Sequence, residues 1–189
     1  MKKQVRNGSL IIAMVASLGF YSCGESKDKD ATKNQQDEME IPKESAEVVD
    51  VEELSKVQFE ETNARTSFEH YLGVKTALVN SNTKEAKENA EMLLESLKVI
   101  NAEQSLLDAT QQLVEAVDIN KQREAFTEMT KGMEVVLSVA VSSGEIYKQF
   151  CPMAFEGKGG YWFSTSKEIR NPYFGDKMLK CGRVEDVIM

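Results

Sequence analysis

Lys84-Glu85-Ala86-Lys87-Glu88-Asn89-Ala90-Glu91-Met92-Leu93-Leu94-Glu95-Ser96-Leu97-Lys98-Val99-Ile100 decides the fold class. Ala86, Ala90, Leu93, Leu94, Leu97 and Ile100 recur three or four residues apart, so a helix gathers them on one face. Lys84, Glu88, Glu91, Glu95 and Lys98 then fall on the opposite, solvated face. An extended chain would scatter the same apolar residues over both sides.

The pattern repeats along residues 51–147. Leu54, Val57, Ala64, Phe68, Tyr71, Leu72, Leu78 and Val79 trace one stripe before it. Leu106, Thr110, Leu113 and Val117 trace a shorter one after it, and Phe126, Met129, Met133, Val136, Leu137 and Ala140 a fourth. Asn80-Ser81-Asn82-Thr83, Asn101 and Asp118-Ile119-Asn120 supply turn and capping chemistry between them. Short connections between amphipathic helices predict antiparallel neighbours, hence a mainly α fold with an up-and-down four-helix bundle. After Ser142-Ser143-Gly144 the aromatic residues Tyr147, Phe150, Tyr161, Trp162 and Phe163 favour extended structure. Gly157, Gly159 and Gly160 predict a turn there, giving a short C-terminal β-hairpin or irregular segment over about residues 145–189.

The N-terminus has a different character. Lys2, Lys3 and Arg6 precede an apolar run from Leu10 to Phe20, about half the length that spans a bilayer. Ser22-Cys23 follows, so residues 1–22 read as a secretory signal. A cysteine directly after the small residue resembles a lipoprotein signal, with Cys23 becoming the lipidated first residue. Phe20 and Tyr21 stand where such signals usually carry Leu and a small residue. Residues 23–49 are polar and acidic and read as a flexible tether. Residues 50–189 are the folded domain. The expected location is the cell envelope, on the periplasmic side or the cell surface, with membrane contact through the lipid anchor only.

Loss of residues 1–22 leaves 20 basic against 31 acidic residues. Such a balance argues against nucleic acid as a partner, because phosphate must be met by Lys and Arg. The acids concentrate in residues 23–147, with 26 against 13 basic residues, and read as a solvated surface.

The chemistry-bearing residues lie in the C-terminal segment. Cys151-Pro152-Met153 and Met178-Leu179-Lys180-Cys181 each pair a thiol with a thioether. Soft sulfurs in two pairs suit Cu(I) or Ag(I), whereas Zn(II) prefers thiolates with imidazoles. Cys151, Met153, Met178 and Cys181 are therefore candidate metal ligands. Their backbone requirements are an extended Cys-x-Met and a single turn of Met-x-x-Cys. Trp162 could cap a monovalent ion through its ring face, and His70, the one histidine, is a further candidate ligand. The same two cysteines equally suit a disulfide. A loop of about thirty residues gains roughly 3–4 kcal/mol from such a cross-link in the chain-entropy model. The methionines would then be filler. Enzyme chemistry is not expected: Cys151 and His70 lack an oxyanion-hole signature, and Gly157-Lys158-Gly159-Gly160 lacks the ending of a phosphate loop.

Tyr147, Cys151-Pro152-Met153-Ala154, Tyr161-Trp162, Ile169-Arg170-Asn171-Pro172-Tyr173-Phe174-Gly175 and Met178-Leu179-Lys180-Cys181-Gly182 carry a family resemblance. So does the helical run Tyr71-Leu72 with Lys75-Thr76-Ala77-Leu78-Val79. Together, over roughly residues 65–189, they resemble a bacterial family of unknown function. Its domain also occurs as a C-terminal extension of periplasmic adaptor subunits of copper/silver efflux pumps. The resemblance implies a helical domain associated with metal handling, with an efflux adaptor or pump as partner. The hairpin and barrel portions of the adaptors are missing from this chain. Two readings follow: a lipid-anchored Cu(I)/Ag(I) chaperone or efflux accessory, and a non-enzymatic envelope interaction module stapled by a Cys151–Cys181 disulfide.

Overall fold

Residues 51–189 are described by the computed structural model, with side chains from Glu53 onward. The expected signal at 1–22, the expected lipidation site Cys23 and the expected tether at 23–49 lie outside the described residues. The described chain runs α1 (Val51–Ser55), β1 (Gln58–Phe59), α2 (Thr62–Val79), α3 (Thr83–Val99), α4 (Gln104–Glu115) and α5 (Ile119–Ala140). β2 (Val141–Ser143), β3 (Ile146–Cys151), a four-residue turn α6 (Ala154–Gly157), β4 (Gly160–Ser164) and β5 (Arg183–Ile188) follow.

The quoted stretch is α3 with its C-cap Ile100; of the expected stripe, Ala86, Ala90, Leu93, Leu94 and Leu97 are buried and Ile100 is half-buried. Asn82 caps it by accepting from the Glu85 amide at 3.2 Å. Asp118 caps α5 through the amides of Asn120 and Lys121. Each cap satisfies donors that the first helical turn leaves open. Helices α2 and α3 end alike. Ser81 and Asn101 take left-handed φ of 53°. Asn82 N donates to Ala77 O at 2.8 Å, and Ala102 N to Leu97 O at 3.0 Å. Both are Schellman closures that use a polar residue in place of glycine.

Sequential helices pack on one another, α2 on α3, α3 on α4 and α4 on α5, and α2 also meets α5. Phe68, Tyr71, Leu93, Leu97, Leu113, Phe126, Met129 and Met133 are wholly buried among them. Each such side chain contributes roughly 1.5–3 kcal/mol through burial. The hydroxyl of Tyr71 crosses the core. It sits 2.9 Å from Thr130 Oγ1 and accepts from the Phe163 amide at 3.0 Å, joining α2, α5 and β4.

The helical reading of 51–147 needs correction at both ends. Gln58–Phe59 is extended and pairs antiparallel with Val141–Ser143. The strand content also exceeds a hairpin. β3 pairs antiparallel with β4, as expected, but its other edge is covered by β5, in the order β4-β3-β5.

A candidate thiol site under the C-terminal covering segment

The β3–β4 register places Gln149 opposite Trp162 and Cys151 opposite Gly160. Side chains alternate along a strand, so Gln149, Cys151 and Trp162 share one face. Lys148, Phe150, Tyr161 and Phe163 share the other. Lys148 reaches Glu134 of α5 at 2.5 Å, so this second face meets the helices. The first face is covered by the chain between β4 and β5. Gln149 Nε2 donates to Ser166 O and Glu168 O, and Tyr173 lies edge-on to Trp162 with centroids 6.0 Å apart.

Asn171 and Arg123 shape this covering segment. Wholly buried Asn171 donates from Nδ2 to Cys181 O at 2.7 Å. Its Oδ1 accepts from the amides of Tyr173 and Phe174, and its own amide donates to Leu179 O. From α5, buried Arg123 donates through Nε to Pro172 O at 2.8 Å. Its Nη2 donates to Leu78 O and Ser81 Oγ, both at 3.1 Å. One guanidinium thus binds the carbonyl end of α2 and the covering segment together, and the negative end of the α2 dipole favours its charge. Burial pulls the Arg123 pKa down from its ordinary value. Gly175 makes the fit possible. Its φ is 56°, and a Cβ there would sit 2.7 Å from Val79 O and 2.8 Å from Ser81 Oγ. Tyr173 is buried between Phe126, Phe155 and Trp162. Its hydroxyl donates to Tyr161 O. Burial, more than any neighbouring charge, raises its pKa well above the usual phenol value.

This frame brings Cys181 onto β3. Cys151 Sγ and Cys181 Sγ are 3.1 Å apart, and both are free thiols. Cys151 is 0% exposed, whereas Cys181 is half-buried. The Cys181 pKa is raised, first by its hydrogen bond to Cys151, then by burial and by the neighbouring sulfur's charge. Gly182 lets the chain pass close over Trp162: a Cβ would lie 2.9 Å from the indole Cη2 and 3.0 Å from Phe150 O.

The other candidates are placed differently. Met178 and Cys181 share one turn, with Cys181 N donating to Met178 O at 3.0 Å, as Met-x-x-Cys requires. Met178 is half-buried. Cys151 and Met153 do not share an extended backbone. The chain turns at Pro152, Met153 has φ −90° and ψ −11°, and its side chain is 55% exposed. Trp162 is wholly buried with its ring against Tyr173 and Gly182, so its face is engaged in packing, and Nε1 is buried without a hydrogen-bond partner in the described structure. His70, on α2, lines a surface groove with Glu88, Glu91, Met92 and Glu95 of α3. Its pKa is lowered by partial burial, against the opposing charge of Glu69. Among the described residues, no cluster of three or more His, Cys, Asp or Glu side chains is placed to hold a metal ion.

After Met153 the backbone turns left-handed. Phe155, Glu156 and Gly157 have φ of 51°, 58° and 87° in succession. L-residues disfavour this hand by roughly 1–2 kcal/mol each. The turn borders a groove of about 630 Å³, with Tyr161 beside it and Glu124, Thr127 and Lys131 of α5 across it. The glycines predicted a turn here; its left-handed start at Phe155 and Glu156, and the Arg123 anchor, were not anticipated from the sequence. For Arg123 a signal was there: it sits three residues before Phe126, on the core-facing stripe of α5, where a charge demands partners.

A family model described as a protein of unknown function (DUF3347) matches residues 67–144, from within α2 to just after β2. The match lies on the helices and stops before Cys151. No curated protein and no solved structure matches the chain.

Proposed function

We propose that this is a non-enzymatic envelope protein, anchored by lipid at Cys23, that binds Cu(I) or Ag(I) through Cys151 and Cys181. On this reading α2–α5 form an up-and-down four-helix bundle that presents the thiol pair. The protein serves as a chaperone or accessory to heavy-metal efflux, with an efflux adaptor or pump as partner. The observation that supports it is the 3.1 Å approach of two thiols thirty residues apart, one of them reachable from solvent. Two soft donors suffice for a monovalent d¹⁰ ion, while a zinc site wants four N or S ligands. Met178, on the same turn as Cys181, is the candidate third ligand. Met153, carried on the surface beside Cys151, is the candidate for first capture.

Titrating the reduced protein with Cu(I) against a chromophoric competitor tests this. Binding of one equivalent is expected, abolished in Cys181→Ser and weakened in Met178→Leu. Unchanged binding in Cys181→Ser, or none in the parent, refutes it.

The full burial of Cys151 favours a second reading. There the sulfurs are a staple, and the protein is an envelope interaction module whose covering segment is locked to β3. A buried thiol with an apolar surround is usually inert rather than reactive. Absence of Cu(I) binding together with a Cys151–Cys181 cross-link in the isolated protein would establish that reading.

A further inference from the structure

The two sulfurs belong to different parts of the chain. Cys151 ends β3, and Cys181 closes the covering segment just before β5. A bond between them would fasten that segment to the sheet and occupy both thiolates at once. We infer that Cys151 and Cys181 act as a redox gate: the dithiol admits a soft metal ion, and the disulfide excludes it. The gate rests on the metal reading above.

The chemistry balances by thiol–disulfide exchange with an external disulfide, RSSR, as oxidant. Cys181 is the half-buried partner, and its thiolate attacks one sulfur of RSSR first. It displaces RS⁻ to give a mixed disulfide on Cys181. The Cys151 thiolate, already in contact, then attacks Cys181 Sγ, forms the Cys151–Cys181 bond and expels the second RS⁻. Two protein thiols are oxidised, one external disulfide is reduced, and the two thiol protons end on the two RSH products. The second step is intramolecular between sulfurs 3.1 Å apart, so no mixed disulfide should accumulate at Cys181.

The covering segment keeps its other anchors in both states. Arg123 holds Pro172 O, and Asn171 holds Cys181 O and the amides of Tyr173 and Phe174. Reduction therefore opens the sulfurs without unfolding the segment. The same site can be cycled.

The test uses the full-length chain, reduced or treated with oxidised glutathione, with Ag(I) as the metal probe. Peptide mapping should identify a linked Cys151–Cys181 pair after oxidation. The oxidised chain should bind Ag(I) at least about 100-fold more weakly than the reduced chain, because both thiolate ligands are withdrawn. Dithiothreitol followed by its removal should restore binding. Circular dichroism of both forms should coincide. Failure to form the linked pair overturns the gate and leaves the metal reading standing if the reduced chain binds. A linked pair with unchanged Ag(I) affinity also overturns it, and places the metal elsewhere. A linked pair with no Ag(I) binding in either form overturns both the gate and the metal reading, leaving the staple.

Discussion

Replacing Arg123 by alanine should release the covering segment from the helices. The guanidinium makes three donations, to Pro172 O at 2.8 Å and to Leu78 O and Ser81 Oγ at 3.1 Å. A hydrogen bond from a charged donor is worth roughly 1.5–3 kcal/mol, so the gross loss is large. Against it stands the cost of holding a guanidinium out of water, several kcal/mol before compensation. The truncation also leaves two carbonyls that water must reach. The net destabilisation should be about 2–4 kcal/mol, somewhat below the roughly 3–5 kcal/mol of a broken buried ion pair, because the partners left behind are neutral. Urea unfolding with a fitted m-value measures it, and an unchanged m-value keeps the comparison two-state. Hydrogen exchange supplies the local test. The amides of Tyr173 and Gly175, bonded to Asn171, should lose protection well before those of α3. Arg123→Lys should recover less than half of the loss, because one ammonium cannot span Pro172 O and Leu78 O in the geometry of the fork. A destabilisation under about 0.5 kcal/mol, the ordinary scatter of surface substitutions, would refute the anchoring role.

Other outcomes follow from the same structure. Tyr71→Phe strips the acceptor from the buried Phe163 amide and the partner from Thr130, and should cost about 1–3 kcal/mol by thermal or urea unfolding. Cys181 should alkylate slowly near neutral pH and speed up as its raised pKa is passed, and Cys151→Ala, which removes the hydrogen bond, should shift that rise to lower pH; identical pH–rate profiles would contradict this. His70 has a folded pKa below its ordinary 6.5, so the unfolded chain binds more protons between those values and stability rises with pH there. The contribution is complete above about pH 6.5 and declines as pH falls toward the folded value. His70→Gln should remove this slope, with Glu69, Glu88, Glu91 and Glu95 still facing the position. A stability difference between parent and variant that stays constant from about pH 7 to 5 would refute it.

The helices were legible because their signals are local. The α3 stripe, the Asn82 and Asp118 caps and the Asn101 terminus each depend on neighbours within four residues. The β3–β4 hairpin was legible from its aromatic run and glycines. β5 was not. Arg183-Val184-Glu185-Asp186-Val187-Ile188 holds three charges in six residues, and only pairing with β3, more than thirty residues earlier, makes it a strand. β1 and β2 are shorter still and exist through each other. The candidate site was half legible. Composition picked out both cysteines, and their sulfurs lie 3.1 Å apart. The different surroundings of Cys151 and Met153 were hidden, because Pro152 turns the chain at the point where alternation would have kept both on one face. Asn171 looked like a turn residue, and its wider role depends on partners ten residues away.

Phe155 and Glu156 coil in the mirror sense of an ordinary helix, and neither is the residue type that does so freely. The rest of the hairpin must hold them there, with Phe155 clamped by the Tyr173 ring and Gly159 tucked under Phe150. Relief of this left-handed strain, roughly 1–2 kcal/mol, outweighs the entropy that a glycine adds to the unfolded chain, so Glu156→Gly should make the protein sturdier by up to about 1 kcal/mol. That an acidic side chain occupies the costlier option, on the lip of the hollow beside α5, makes this bend the natural place to look for contacts beyond the sulfurs.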